Sequence, residues 1–491
     1  MERIIAALKQ KLFGNGQSEK VEHAQLKLEL QQAEQALEDL EIEREVESVL
    51  SQDSSSDNSG EEDEKKPKRV RRYSFPKTVE TVTETLIPDE VAANPQAYRE
   101  IGQPEVTELL DVEPMKFIKR RIVRPRFQLR EDRQAAPVVA KTPQRVISGG
   151  LPAVGLLVQV ILAKYADHLP LYRQSQIFAT RYQVEVSRKL MGDWVRAVAE
   201  DWLVLIYNSI KSDLRTQCFL HADETPIRCL DLDSPGGSRK GYLWVYVDRQ
   251  GNTLYDWHMS RSANAAKSML GGYAGLLQCD AYSAYDKLAK KESFRIVACM
   301  AHVRRKFHEA WKLAGERSAG WYILRIGELY QIDAEINADP QCDVLAERKR
   351  RSLPILKKIK TRLDQDSAIL SAQTKTYEAV NYTLKIWDKV LLYTEEPLTR
   401  IDNNPAEQAI RPTKIGMKNW LFVGHPKAGQ RSAILYTLMQ NCKVHAIDPR
   451  EYLIDVLNTL PTAKTDPDSV RACWRELDIS DNCCCIISSP R

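Results

Sequence analysis

The sequence predicts an α/β protein built on a mixed β-sheet flanked by helices. Three observations carry that prediction. Residues 216–313 alternate short apolar runs with helical patterns in the order β-β-β-α-β-α-β-α. Two of those runs lead into acids, Asp223 and Asp280, at the carboxyl ends of strands, where open α/β sheets place their ligands. After a long charged stretch, 314–395, the segment Ile401-Asp402-Asn403-Asn404-Pro405-Ala406-Glu407 opens a further helix and supplies a third acid.

At 491 residues the chain is long enough for two to four domains. Its apolar share of 43% and charged share of 28% are those of an ordinary soluble protein. The net charge of +4 says little, but its distribution says more. Residues 51–64 hold six acids and no base, and residues 65–72 hold six bases in eight positions. Residues 116–133 are basic again. Such blocks serve as solvated tails or as phosphate-binding arms. The first residues are charged and periodic, unlike a signal peptide, and the longest apolar run, 151–163, is too short to span a bilayer. The ten cysteines all lie from Cys218 onward, three of them adjacent at 483–485, which suits no ordinary disulfide framework. A reduced cytoplasmic protein without a membrane segment is expected.

Residues 1–50 read as helical. Leu26, Ala33, Leu37 and Leu40 approach heptad spacing, as in a short coiled coil or a helix folded back on the protein. The stretch 51–72 is a disordered acidic and basic linker. Residues 73–148 mix Val/Thr/Ile-rich runs with prolines, suggesting a small β-rich module, and without cysteine there it has no thiolate zinc ligands. Residues 149–215 turn helical. Two amphipathic helices, 171–180 and 187–200, joined by a short connection, resemble a helix-turn-helix or an ordinary helical hairpin, with Ser187 as N-cap and Arg188 and Lys189 in the next turn placed to meet DNA.

The sheet follows. A first strand is expected at 218–222, a hairpin at 241–247 and 253–259 around Gly251-Asn252, a fourth strand at 275–279 and a fifth at 295–300. Helices are expected at 263–270, 281–290 and 301–313. That order is the order of a ribonuclease-H-like fold, with 216–313 as its first part, 314–395 as a helical insertion, 396–460 as closing helices and 461–491 as a tail.

Glu407 allows two readings. With Asn404 as helix N-cap and Pro405 at the first helical position, it completes a capping box. Alternatively it is a metal-binding carboxylate, with Arg411 one turn further along the same face. Asp223 and Glu224 point to opposite faces of a regular strand, so one of them, taken as Asp223, joins Asp280. The three acids are separated by 57 and 127 residues. Brought together, Asp223, Asp280 and Glu407 repel one another unless cations neutralise them. Their oxygens suit Mg²⁺ or Mn²⁺, and two such ions can drive in-line phosphodiester displacement. On the helix after the fifth strand, His302, Arg304, Arg305 and Lys306 face DNA phosphates or simply solvent. Cys299-Met300-Ala301-His302 has metal-ligand spacing but no second Cys/His pair near it in sequence. Trp420 and Phe422, preceded by Lys414 and Lys418, either stack on a frayed DNA end or pack in the core.

His221-Ala222-Asp223-Glu224-Thr225-Pro226, Gly241-Tyr242-Leu243-Trp244-Val245, Asp280-Ala281-Tyr282-Ser283-Ala284-Tyr285, the 301–307 helix start and Asp402 to Glu407 resemble transposases of the bacterial insertion-sequence-sixty-six family. Lys164 to Tyr172 and Lys418 to Phe422 share the resemblance, which covers about residues 145–460. It implies a DDE transposase with Asp223, Asp280 and Glu407 as the metal-binding triad. It also implies DNA ends and target DNA as partners, a synaptic homo-oligomer, small accessory proteins from the same element, and work in the bacterial cytoplasm at the nucleoid. Two features depart from the family pattern: no paired cysteines precede Cys218, and Gln408 stands where members usually carry Arg. The alternatives are a ribonuclease-H-like nuclease or resolvase without strand transfer, and a non-catalytic DNA-binding regulator.

Overall fold

The computed structural model describes residues 115–127 and 138–463 apart from Ala281, with isolated positions at 87, 93, 96, 470 and 472. The expected helix over 1–50, the linker and the cysteine-rich tail lie outside the described residues. The chain divides into two units, one of them Asp53–Ile122, whose longest described stretch, 115–122, has no regular element. Of the expected β-rich module, the described part holds one antiparallel pairing, β1 (Arg126–Phe127) with β2 (Val138–Val139).

The other unit is a mixed sheet of five strands with helices around it. The strands are β3 (Phe219–Leu230), β4 (Ser238–Val247), β5 (Thr253–His258), β6 (Leu276–Cys279) and β7 (Arg295–Ala298), in the order β5-β4-β3-β6-β7. The hairpin strands β4 and β5 are antiparallel to their neighbours, whereas β6 and β7 run parallel to β3. All four residues of β6 are buried, as is usual for parallel strands covered on both faces.

One expectation needs correction. The first strand does not stop at Ala222 but runs on to Leu230, so Asp223 lies within a strand. The reason is β4, which pairs with β3 from His221 opposite Val247 to Leu230 opposite Ser238 and carries it beyond the parallel neighbour. On the other side β6 pairs only with Phe219 to His221, leaving the flank of β3 open from Ala222 onward.

Helices α1 (Val154–Tyr165), α2 (Leu171–Tyr182) and α3 (Arg188–Ala197) precede the sheet. Ser187 caps α3 as expected, its side chain accepting the Leu190 N–H. Yet α3 is not a short second helix. It passes through a π-helical turn, Val198–Leu203, into α4 (Val204–Arg215), because apolar positions such as Val198, Leu203 and Ile206 keep it buried throughout.

After the hairpin come α5 (Ala263–Leu270), α6 (Ser283–Ala289) and α7 (Met300–Lys312). Residues 318–394 then form helices without a strand: α8 (Ser318–Ala338), α9 (Val344–Glu347), α10 (Leu353–Ile369), α11 (Lys375–Lys385) and α12 (Trp387–Leu391), with a π turn at Arg348–Ser352 and a 3₁₀ turn at Leu392–Thr394. They share one apolar core with α7, where Phe307 stacks on Tyr322 at 4.2 Å. Buried Arg348 ties this layer to the segment returning to the sheet, donating to Asp333 and to the Tyr393 and Thr399 carbonyls.

Two helices then close the sheet, α13 (Asn404–Trp420) and α14 (Pro426–Val444), followed by α15 (Pro449–Ala463). Helix α14 covers the outer edge of β5. Thr437 accepts the Tyr255 N–H, and Asn441 both accepts from and donates to the backbone of Thr253. Helix side chains thus satisfy backbone groups that an exposed edge strand would offer to other chains. The approach is close enough that a Cβ on Gly429 would stand 2.1 Å from the Trp257 ring.

Candidate active site

The site forms where β3 outruns β6. His221 is paired with Gln278, so Asp223 and Asp280 each lie two residues further along neighbouring parallel strands and share one face of the sheet. Asp280 directly follows the last residue of β6 and accepts the Tyr282 N–H at 3.0 Å. Asp223 accepts the N–H of Glu224 at 2.8 Å.

The third acid is delivered by Asn403. This side chain is buried, donates to the Ala222 carbonyl at 2.8 Å and meets His221 Nδ1 at 2.9 Å. Its backbone N–H points to Cys299 Sγ at 3.2 Å. Just earlier in the return, the Ile401 carbonyl accepts from Met300, and Gln278 makes two hydrogen bonds to Arg400. The start of α13 is therefore fastened to β3, β6 and α7 beside Asp223. Its far end is fastened too, since Val423 donates to Arg228 and accepts from Leu230. A 17-residue helix is about 25 Å long, and the seven residue-to-residue steps from Ala222 to Cys229 along β3 span about 23 Å, so α13 lies along β3 pinned at both ends.

This geometry rules out the capping-box reading of Glu407. Helix α13 begins at Asn404, its N-cap is Asn403, and no side chain caps it. Glu407 thus falls one position too late for a capping box, which corrects the assignment of Asn404 as cap. Asn403 is engaged with β3 instead, and Asp402 takes the Asn404 N–H and side-chain amide. Glu407 Oε1 is buried with no hydrogen-bond partner. His302 Nδ1 stands 3.9 Å from this oxygen, and the Arg305 guanidinium 3.9 Å from Oε2.

The electrostatics show that the acids share one environment. Burial and then Glu224 push the Asp223 carboxyl up to about 7; the Glu224 N–H opposes them, and Asp280 and Glu407 add smaller upward contributions. Burial and Asp280 also raise Glu224. The expectation that only one acid of the pair can approach Asp280 is therefore too strict. Glu224 is nonetheless spoken for: Arg261 Nε donates to it at 2.6 Å and the Tyr285 hydroxyl at 2.8 Å. Arg261 also stands 3.8 Å from Asp280 and over the Tyr282 ring. Sequence reasoning missed Arg261, Tyr285 and Asn403, because their roles depend on contacts across 37, 61 and 181 residues. His302 feels Glu407 and Asp280, but burial and Arg305 outweigh them and lower its pKa.

The remaining predicted residues divide. Arg188 and Lys189 are exposed at the start of α3. Arg411, Lys414 and Lys418 are exposed on α13 at positions that continue the Glu407 face. On α7, His302 and Arg305 turn toward Glu407, and Lys306 lies over the Tyr382 ring at 4.8 Å. Arg304 is half-buried and lies near Tyr330. Trp420 is partly buried against Gly416, whereas Phe422 is 40% exposed beside Leu421, which has φ of 63°. Phe422 is thus not a core residue.

Carboxylates fit divalent cations here on the structure's own terms: one buried oxygen has no hydrogen-bond partner, and burial together with negative neighbours pushes one acid up to about 7. We expect Asn403→Ala to lower stability by about 1–3 kcal/mol, since it leaves the Ala222 carbonyl and His221 unsatisfied. Chemical denaturation checks this.

A mixed sheet with acids gathered at the carboxyl end of its parallel strands is the layout of an α/β enzyme. The sequence comparisons say which kind. The transposase IS66 family matches over residues 149–431, and the chain belongs to that family, whose members are DNA-transposing enzymes. It is 32% identical to the uncharacterized protein y4jD of Sinorhizobium fredii over 385 residues, 75% of this chain and 74% of that protein. It is also 32% identical to y4qI of the same organism, over 85% of this chain and 79% of that one. A solved structure described as a pre-cleavage Mos1 transpososome aligns with 54% of this chain and 83% of that chain at 12% identity, with a TM-score of 0.14, too slight a likeness to argue from. Among the described residues no helix is long and apolar enough to cross a membrane.

Proposed function

We propose that this transposase cuts DNA at the ends of its own element and joins the freed ends to target DNA at one ribonuclease-H-like site, formed by Asp223, Asp280 and Glu407. The observation that carries the reading is geometric: the β3–β6 register sets Asp223 beside Asp280, and Asn403 fastens the start of the helix bearing Glu407 to Ala222, although 57 and 184 residues of chain separate these acids from Asp223. The three carboxylates would hold two Mg²⁺ or Mn²⁺ ions. Bound there, such ions activate an attacking oxygen and stabilise a leaving oxygen in an in-line displacement.

The chain's own residues do the positioning. Asn403 sets the start of α13, and therefore Glu407, against β3. Arg261 pairs with Glu224 while offering positive charge near Asp280. Arg411, Lys414 and Lys418 give α13 a basic track leading from Glu407, suited to a DNA backbone. Water would attack first, freeing a 3′-hydroxyl, and that hydroxyl would attack the target strand at the same site. Arg188 and Lys189 at the head of α3 are further phosphate contacts. Function within a synaptic oligomer, with accessory proteins of the element, belongs to the same reading.

Incubation of the chain with element-end DNA, target DNA and Mg²⁺ tests it. The reading predicts joined products in which the element's 3′ end is covalently linked to target DNA. Cleavage without joined products would favour a nuclease or resolvase.

A further inference from the structure

The Cys299-Met300-Ala301-His302 motif lacks a second pair of ligands in sequence, but the fold supplies another ligand from far away. One ligand atom each from Cys299, His302 and Glu407 lie within 4.8 Å of one another. His302 Nδ1 and Glu407 Oε1 are both buried without hydrogen-bond partners, 3.9 Å apart. That separation is too long for a hydrogen bond. It is close to the spacing of two ligands on one tetrahedral ion, where bonds of about 2.0–2.3 Å put donor atoms roughly 3.3–3.8 Å apart.

The sulfur is prepared as well. Cys299 is the N-cap of α7, and its Sγ accepts the Asn403 N–H at 3.2 Å. A sulfur at a helix N-terminus with an N–H donor aimed at it is placed to be held as a thiolate once a metal binds. Without a metal, burial pushes the thiol up to about 12, so the ion must displace that proton to water as it binds.

We propose that Cys299, His302 and Glu407 form a site for a zinc-class ion, with a fourth position open to water or a phosphate oxygen. The mixed sulfur, nitrogen and oxygen set is the wrong chemistry for Mg²⁺ and the right one for Zn²⁺ or Co²⁺. A second consequence rests on the function proposed above. Zn²⁺ bound here competes with the Asp223–Asp280 pair for the Glu407 carboxylate and so holds the enzyme off.

Cobalt titration of the full chain tests the site without reference to activity. The expected result is a thiolate-to-cobalt charge-transfer band with tetrahedral visible absorption. Because other cysteines contribute thiolates of their own, the decisive quantity is the difference caused by His302→Gln, a substitution at a partly exposed position. It should weaken this binding at least about tenfold, as should Cys299→Ser, whereas Asp223→Asn and Asp280→Asn should leave it intact. A cobalt spectrum unchanged by His302→Gln overturns the site, as does a band lost equally in Asp223→Asn. In a separate arm, Zn²⁺ should inhibit Mg²⁺-dependent cleavage in the wild type and do so at least about tenfold less potently in His302→Gln. Equal inhibition of the two overturns the off-switch. Inactivity of every preparation would count against the catalytic reading, while the cobalt result would still decide the site.

Discussion

Asp280→Asn is expected to abolish Mg²⁺-dependent cleavage of element-end DNA, a loss of roughly a thousandfold or more. Asp280 follows the last residue of β6 directly, so its position is set by a buried strand rather than by a flexible loop. Asparagine keeps the shape and can still accept the Tyr282 N–H, so the fold should survive. What disappears is a negative ligand. Stabilisation of transition-state charge by a bound cation is worth several kcal/mol, and each 1.36 kcal/mol is about tenfold in rate. Rates for wild type and variant on the same end-labelled duplex decide the matter, and equal cutting would exclude the site.

The second large effect concerns stability and pH. The Asp223 carboxyl is pushed up to about 7 in the folded chain from an ordinary value of 3.8. The folded protein therefore keeps a proton that the unfolded chain releases near pH 4. By linkage, the metal-free protein loses stability as pH rises from about 4 to about 7, by an amount on the order of a few kcal/mol. Mg²⁺ binds the ionised acids and should restore the loss, most strongly above pH 7. Asp223→Asn should flatten the fall and remove most of the Mg²⁺ effect. Thermal unfolding across this pH range, with Mg²⁺ or with chelator, measures both.

Much of this arrangement was legible in the sequence because local patterns and the fold agree. The apolar stems 276–279 and 295–298, the Gly251-Asn252 turn and the Ser187 cap each form what their residues favour. The failures occur where a distant partner overrides the local pattern. Nothing near Asp223 announces that β4 will carry β3 on to Leu230. Asn404 is locally a good cap, yet Asn403 takes the N-cap position while its side chain goes to the Ala222 carbonyl. Likewise, Cys299 and His302 looked incomplete because Glu407 stands more than a hundred residues away in the chain. Phe422 shows the converse: an aromatic side chain suggests a core, but here the backbone of Val423 is bonded to β3 and leaves its neighbour exposed.

The most direct measurement is anomalous scattering from crystals of the full chain grown with Mn²⁺ and element-end DNA. Two Mn²⁺ peaks within bonding distance of Asp223, Asp280 and Glu407 are predicted. Density showing Glu407 turned away, with no Mn²⁺ between Asp223 and Asp280, would contradict the account.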